Sequence, residues 1–510
     1  MIRRPPRSTP KPSSAASDVY KRQIYIIGGG SSGWMTATTM LTKFPEAKIT
    51  VVESPDVPPV GVGESTTQYF RIWAEYVGLK DEEWMPACDA TYKISVRFSG
   101  FNDVDDTPWQ YPFGSPNYNL PHPDVWFWNQ YKKGWSKDKF ARDYWIAAEC
   151  AEHNLLPIKD PNFKLKKNTG FHFDAVKFAN WLRDNKCQSV NRIIGRVDDF
   201  ERVGDDIKYL WIDEKQHEAD LYFDCTGFTS LLNNSEWLDY SDWLPNDTAW
   251  VTRLKYKQKE EQLKSYTQCT ALSSGWVWTV PTFARIGTGY VFSSKFQDHQ
   301  SALTEFSRFL KYDTDGFRKI HFKTGRKKEI WCGNVVSIGL SGGFIEPLES
   351  NGLLSVHEFL MKFCRMWKPN TTQMMRDTYN KAVSFAFDGF ASFVAIHYAL
   401  TQRRDSPYWR HVSSIRYPDE GMIEAAKITM MEESHNFASK LNWQNADGDS
   451  LYCVMAGHGW NPFTDVIESE ILFHGGIPED SHLNSWTHEW NHARLGVNPL
   501  DYYNRTLYAV

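Results

Sequence analysis

The sequence predicts an α/β fold: a glycine-marked strand–turn–helix core followed by a mainly helical C-terminal part. Three observations carry this expectation. Ile24-Tyr25-Ile26-Ile27 is a short apolar run ending directly in glycines, as a buried parallel strand does when it opens a βαβ unit. Tyr222-Phe223-Asp224-Cys225-Thr226-Gly227 and Val335-Val336-Ser337-Ile338-Gly339 each read as a further strand running into glycine. From Leu353 the apolar spacing turns helical, with Leu353, His357, Leu360, Cys364 and Trp367 on one stripe.

The elements follow in order. Met1 to Gln23 is rich in Arg, Pro and Ser and has no apolar core, so it is not a secretory signal. Its second half resembles translated sequencing-adapter sequence, and residues 1–23 are expected to be a non-native, disordered leader. A helix is expected from about Ser32 to Leu41, and Lys48-Ile49-Thr50-Val51-Val52-Glu53 reads as the second strand, closing on an acid. Residues 101–124, rich in Pro, Asn and Gly, read as a long ordered loop. Asp174 to Asn185 looks helical, and 193–224 reads as short strands separated by Asp/Gly turns. Beyond 380 the pattern is mostly helix and loop.

At 510 residues the chain is long enough for a large core, and its 22 Trp, 24 Tyr and 31 Phe mean either a bulky interior or a site that grips flat ligands. The eight cysteines form no CxxC pair, which points away from a zinc knuckle or redox dithiol and fits a reducing, cytoplasmic setting. No uninterrupted apolar run reaches the 18 or more residues of a membrane span. The leader holds six Lys/Arg and one Asp, so without it the formal charge moves from -5 to -10. That acidic balance argues against a nucleic-acid partner.

Gly28-Gly29-Gly30-Ser31-Ser32-Gly33 matches GxGxxG between a strand and a helix. Gly28, Gly30 and Gly33 let backbone approach a pyrophosphate, and the helix start at Ser31 offers N–H groups and a positive dipole end. Glu53, 20 residues beyond Gly33, stands where a carboxylate accepts hydrogen bonds from a ribose. Two later strand-to-glycine returns are typical of FAD rather than NAD folds. A second strand–GxGxxG–helix unit is missing from the sequence, so the flavin is expected to arrive already reduced.

Several segments then carry a family resemblance. Trp276-Val277-Trp278-Thr279-Val280-Pro281 looks like the WxWxIP signature of flavin-dependent halogenases, with Val280 for Ile. Gly61-Val62-Gly63-Glu64-Ser65-Thr66 resembles the GVGE[AS]T segment of the tryptophan halogenase family, and Ala90-Thr91-Tyr92-Lys93 the stretch holding its active-site lysine. Residues 343–352, Gly-Phe-Ile-Glu-Pro-Leu-Glu-Ser-Asn-Gly, resemble its glutamate and halide segment; 285–290 and 405–410 also fit. Together these cover about residues 24–460.

The resemblance implies a flavin-monooxygenase type FAD-binding core over 24–390, with a substrate-side loop about 101–160, and a mainly helical substrate-binding module over 391–510. It implies a two-component enzyme that uses FADH2, dioxygen and chloride or bromide to halogenate an electron-rich aromatic carbon through hypohalous acid. The FADH2 would come from a separate NADH-dependent flavin reductase. A homodimer is left open. Gly61, Val62, Gly63, Glu64, Leu340 and Leu353 join the glycine motif as implied FAD contacts. Lys93 would engage the oxidant, by hydrogen bond or as a haloamine, and burial would lower its pKa. Glu349 would steady the arenium cation and remove its proton. The halide would sit on the backbone amides of Asn351 and Gly352, where many relatives have threonine at position 351. Trp276 and Trp278 would wall the oxidant's route, which favours a halogenase over an aromatic hydroxylase or a non-catalytic flavin-binding module.

For the substrate, the resemblance is partial. The family's His-x-Phe indole sandwich falls on Tyr111-Pro112-Phe113, and its amino-acid clamp falls near Leu451-Tyr452 and His458. Leu451 cannot hydrogen-bond a carboxylate and His458 changes the charge, so an indole or phenol without that head group, or a larger conjugate, is expected as readily as free tryptophan. His488-Glu489-Trp490-Asn491-His492 fits HExxH, but the 18 residues beyond it hold no further His or Glu. It reads as a chance match, and no metal is expected.

Overall fold

The computed structural model describes residues 22–56, 64–104, 106–117, 126–127, 130–131, 133–311, 316–368, 371–415, 448–461 and 496–509. Residues 1–21 of the expected leader therefore lie outside the described residues. Gln23 does not belong with them, because it opens the first strand, Gln23–Ile27, and its N–H bonds Asp220.

That strand is the centre of a six-stranded sheet ordered Trp331–Cys332, Val335–Ser337, Leu221–Asp224, Gln23–Ile27, Lys48–Glu53, Asn191–Ile194. Every pair is parallel except the outermost, Trp331–Cys332 with Val335–Ser337. Ile24 and Ile26 are fully buried, as are Val51 and Phe223, as expected of a sheet covered on both faces. The helix expected from Ser32 to Leu41 runs Ser31–Lys43 and buries Trp34, Met35, Ala37 and Met40. The two strand-to-glycine returns come back in succession beside the first strand: Cys225 N–H bonds the Ile27 carbonyl, and Ile338, one strand further out, donates to the Asp224 carbonyl. Asp174 caps the helix Ala175–Asn185, accepting from the N–H groups of Val176 and Lys177.

A second, seven-stranded sheet was not legible in the sequence. Its order is Arg318–His321, Thr248–Leu254, Ile286–Phe292, Gly275–Pro281, Tyr266–Leu272, Ser95–Ser99, Trp109–Pro112. The last strand lies inside the stretch expected to be loop. Between the two sheets, a small sheet lines Glu64–Ser65 and Thr91–Lys93 on either side of Gly170–Phe173. This arrangement sets Lys93 near Ser65 although 28 residues separate them in sequence.

Helix Gly352–Met366 buries Leu353, His357, Leu360 and Cys364 on the expected stripe. Helix Gln373–Ala399 is continuous through position 390, so the division expected at 390/391 falls inside one element. This helix is long and apolar enough to cross a bilayer, but most of it is buried inside the fold. Its burial is explained by the core it joins, a single apolar cluster that runs from Ile24 to Tyr503. Many of the described tryptophans are core: Trp34, Trp73, Trp84, Trp109, Trp126, Trp276, Trp331 and Trp409 are fully buried. Around Phe70, the rings of Trp73, Trp84, Phe171, Phe173 and Phe178 meet at 5.3–6.3 Å, contacts worth roughly 0.5–1.5 kcal/mol each beyond their area. All eight cysteines are buried free thiols.

Candidate active site

The glycine turn has the backbone that close packing demands. Gly28 has φ +118°, and a Cβ there would stand 2.3 Å from the Cys225 carbonyl oxygen; a Cβ on Gly33 would stand 1.9 Å from that of Gly28. Gly30 caps the helix, and a Cβ there would meet nothing within 4 Å. Open backbone in front of a helix N-terminus fits a pyrophosphate. The Ser31 hydroxyl donates to the Ala175 carbonyl. Glu53 is held over Gly29 by two donors, Trp34 Nε1 at 2.7 Å and Arg192 Nε at 2.7 Å. Leu340 sits in the turn Gly339–Ser341, and Leu353 is buried in the first turn of its helix. Gly61, Val62 and Gly63 lie outside the described residues, while Glu64 pairs with Phe173 in the small sheet.

Lys93 is fully buried. Its Nζ donates to Ser350 Oγ at 2.6 Å and lies 4.9 Å from the centre of the Phe113 ring. Burial, partly opposed by the Glu349 carboxylate, brings its pKa down to about 7. Ser350 is in the left-handed region, φ 59°, which turns its hydroxyl back toward Lys93 and Ser65. From there a hydroxyl chain continues through Ser65 and Thr267, 2.8 Å apart, to His172 Nε2 at 2.8 Å. Burial and the Lys93 charge hold His172 neutral, well below its usual range.

Glu349 ends the short 3-10 turn Pro347–Glu349, just before Asn351 caps the helix Gly352–Met366. A Cβ on Gly352 would meet nothing within 4 Å, so the helix start is open to a small anion. Glu349 and Asn351 line a cleft together with Tyr111, Pro112, Phe113, Trp145, Phe390 and Phe393, and Thr67, Gln68 and Tyr69 add further polar side chains. Aromatic walls interrupted by polar groups are the usual make-up of a site for a flat ligand. Glu349 Oε2 and both polar side-chain atoms of Asn351 are buried without hydrogen-bond partners among the described residues. Such atoms are costly to leave unpaired, and they mark where a ligand's polar edge would fit.

The structure thus brings Glu349, Asn351, Tyr111, Pro112 and Phe113 to one cleft, with Lys93 fully buried against the Phe113 ring and Gly352 next in chain to Asn351. Trp276 and Trp278 stand elsewhere, on the central sheet strand with ring centres 6.2 Å apart. The Trp276 Nε1 donates to Glu346 Oε2 at 2.8 Å, and that oxygen also receives Asn246 and the Tyr398 hydroxyl. Trp278 lies flat over Gly289, where a Cβ would come within 2.2 Å of the ring. Tyr452 is buried beside Phe127 and does not line the cleft, although its neighbour Cys453 does. His458, expected on the substrate, is turned inward instead: it is buried, 3.3 Å from His397 Nδ1, and edge-on to Trp109. The HExxH segment lies outside the described residues. Sequence reasoning missed Ser350 and His397. The latter's only signal was an imidazole in an otherwise apolar stretch of helix.

The family model described as Tryptophan halogenase matches residues 23–468. The chain is 32% identical, over 86% of its length and 90% of the relative's, to the 7-chloro-L-tryptophan 6-halogenase KtzR of Kutzneria sp. (strain 744). It is similar to the solved tryptophan 6-halogenase SttH from Streptomyces toxytricini (30% identity, 86% and 90% of the two chains covered, TM-score 0.78). It is similar as well to BrvH, a flavin-dependent halogenase from Brevundimonas sp. BAL3 (28% identity, 87% and 90% covered, TM-score 0.77). The chain belongs to the tryptophan halogenase family of flavin-dependent oxidoreductases.

Proposed function

We propose that the protein is a two-component halogenase that uses FADH2 from a separate NADH-dependent reductase, dioxygen and chloride or bromide to halogenate an indole or tryptophan-like ring. Reduced flavin, when bound with dioxygen and a halide, supplies hypohalous acid. Gly28, Gly30, Ser31, Gly33 and Glu53 would hold the cofactor, together with the 61–64 segment, Leu340 and Leu353. The amides of Asn351 and Gly352 would hold the halide at the helix start. Trp276 and Trp278, locked by Glu346 and by Gly289, form a rigid wall that keeps bulky substrates off the oxidant's route.

The observation that carries this reading is the pairing of a buried lysine with an unpaired carboxylate oxygen at an aromatic-walled cleft. Lys93, with a pKa near 7, keeps both ammonium and amine forms available at neutral pH. The ammonium donates a hydrogen bond to the oxidant, and the amine can carry the halogen. Glu349 Oε2, buried and without a partner, takes the proton from the ring carbon once the carbon–halogen bond has formed. The Tyr111, Phe113, Trp145, Phe390 and Phe393 walls hold the ring by stacking and burial. Glu349 is the single carboxylate among the described lining residues, which fits a neutral indole as readily as an amino acid.

Incubation with a flavin reductase, NADH, FAD, bromide and indole, read by mass spectrometry, tests the proposal. A brominated indole is expected. A hydroxylated product would identify an aromatic hydroxylase instead, and no product across a broad aromatic panel would leave a flavin-binding module.

A further inference from the structure

Behind the cleft, Glu349 continues into an unbroken line of imidazoles. Its Oε1 lies 2.7 Å from His397 Nε2, and His397 Nδ1 lies 3.3 Å from His458 Nε2. All three side chains are buried, so water does not compete for these bonds. Glu349 Oε2 remains unpaired and belongs to the cleft. His397 is packed among rings: it stacks on Phe98 at 4.7 Å, which itself stacks on Trp109, and it meets Phe101 and Phe393 edge-on. Trp109 in turn packs where a Cβ on Gly457 would come within 2.1 Å of it, and it meets His458 edge-on. Nothing in this arrangement lets the imidazole swing.

The bonds assign the protons. A carboxylate needs an N–H from His397 Nε2; with His397 neutral, its Nδ1 accepts and His458 donates from its own Nε2. His458 Nδ1 is then a lone pair, in keeping with its being buried and without a hydrogen-bond partner among the described residues. Burial above all, with the Lys137 charge, holds His458 well below its usual range. The groups facing the line are Lys93 on the Glu349 side and Lys137 on the His458 side, with aromatic rings between.

We propose that His397 is a positioning residue for Glu349 and that His458 serves the same end by fixing the tautomer of His397. The N–H of His397 binds one carboxylate oxygen and aims the other oxygen into the cleft. His458 therefore serves the base rather than the substrate's head group. This inference rests on the reading of Glu349 as the proton acceptor.

Removing the donor should impair the base without loosening the substrate. With indole and bromide, His397→Leu should lower kcat about tenfold, because a hydrogen bond to a charged group is lost. KM for indole should stay within about twofold. The acid limb of the kcat–pH profile should move upward, since a carboxylate that loses an N–H donor is protonated more readily. His397→Gln, which keeps an N–H within reach, should recover most of the rate even if the leucine variant folds poorly. The double variant His397→Leu/Glu349→Gln should be no slower than Glu349→Gln alone. Multiplying losses, an unmoved acid limb, or a KM effect in place of a kcat effect would overturn the proposal. A second arm is independent of turnover. 15N spectra of histidine-labelled protein, with signals assigned by the His397→Gln and His458→Gln variants, should show both imidazoles as neutral Nε2–H tautomers. An Nδ1–H tautomer at His397 sinks the proposal whatever the protein halogenates. Failure of the wild-type chain to halogenate anything would count against the proposed function, not against this hydrogen-bond line.

Discussion

Lys93 Nζ and Ser350 Oγ meet at 2.6 Å across 257 residues of sequence. This bond ties the lysine's short strand to the turn that carries Glu349, and so couples the residue proposed to hold the oxidant to the proposed base. Lys93→Ala should leave the fold and flavin binding intact while halogenation falls below detection. Halide-dependent hypohalite release, followed with a small trapping reagent, should persist in this variant. Halogenation at a wild-type rate would remove Lys93 from the mechanism.

The same lysine predicts a pH-dependent stability. Its folded pKa of about 7 lies below the ordinary 10.5, so between those values the unfolded chain binds more protons than the folded one. Stability should therefore rise with pH across that window, and the burial penalty should be complete below it. Lys93→Met removes the charge at similar volume. It should be more stable than the parent at pH 6, by an amount on the order of a few kcal/mol, with the gap closing toward pH 10 in denaturant titrations.

Ser350 combines a left-handed backbone with a hydroxyl that accepts from Lys93. Ser350→Ala loses the acceptor and keeps the strain, whereas Ser350→Gly loses the acceptor and relieves it. The glycine variant should be the more stable of the two by about 1 kcal/mol, while both lose halogenation equally, by about tenfold. Chemical denaturation and kinetics on the pair separate the two contributions.

Gly30 and Gly33 should respond oppositely to alanine. At Gly33 the new methyl would meet the Gly28 carbonyl at 1.9 Å, and at Gly30 it would meet nothing within 4 Å. Gly33→Ala should cost several kcal/mol of stability, as overpacking against backbone does. Gly30→Ala should melt close to the wild type yet bind flavin more weakly, because its methyl fills the space proposed for the phosphates. Thermal melts and flavin fluorescence titrations check both.

Much of the first sheet was legible before any coordinates. A buried parallel strand must be apolar along its length and must end in glycine where backbone packs on backbone, so Ile24 to Gly33, Val335 to Gly339 and the acid at Glu53 announce themselves locally. The helical stripe from Leu353 is legible for the same reason, since 3.6-residue periodicity is a property of neighbours. The second sheet was not, because its strands pair across long connections. Ser95–Ser99, for example, runs parallel to Tyr266–Leu272, and nothing in either segment names the other.

By itself the sequence determined the glycine-marked strand–turn–helix core, the family resemblance, and the identities of Lys93 and Glu349 as residues to watch, since each rests on residues close together in the chain. Only the tertiary structure decided that His458 turns away from the cleft to join His397, that Ser350 bridges Lys93 to the Glu349 turn, and that Trp276 is locked by Glu346. Those relationships are hydrogen bonds between buried groups far apart in sequence. A buried polar atom must find its partner wherever the folded chain brings one, and the chain order does not record where that is.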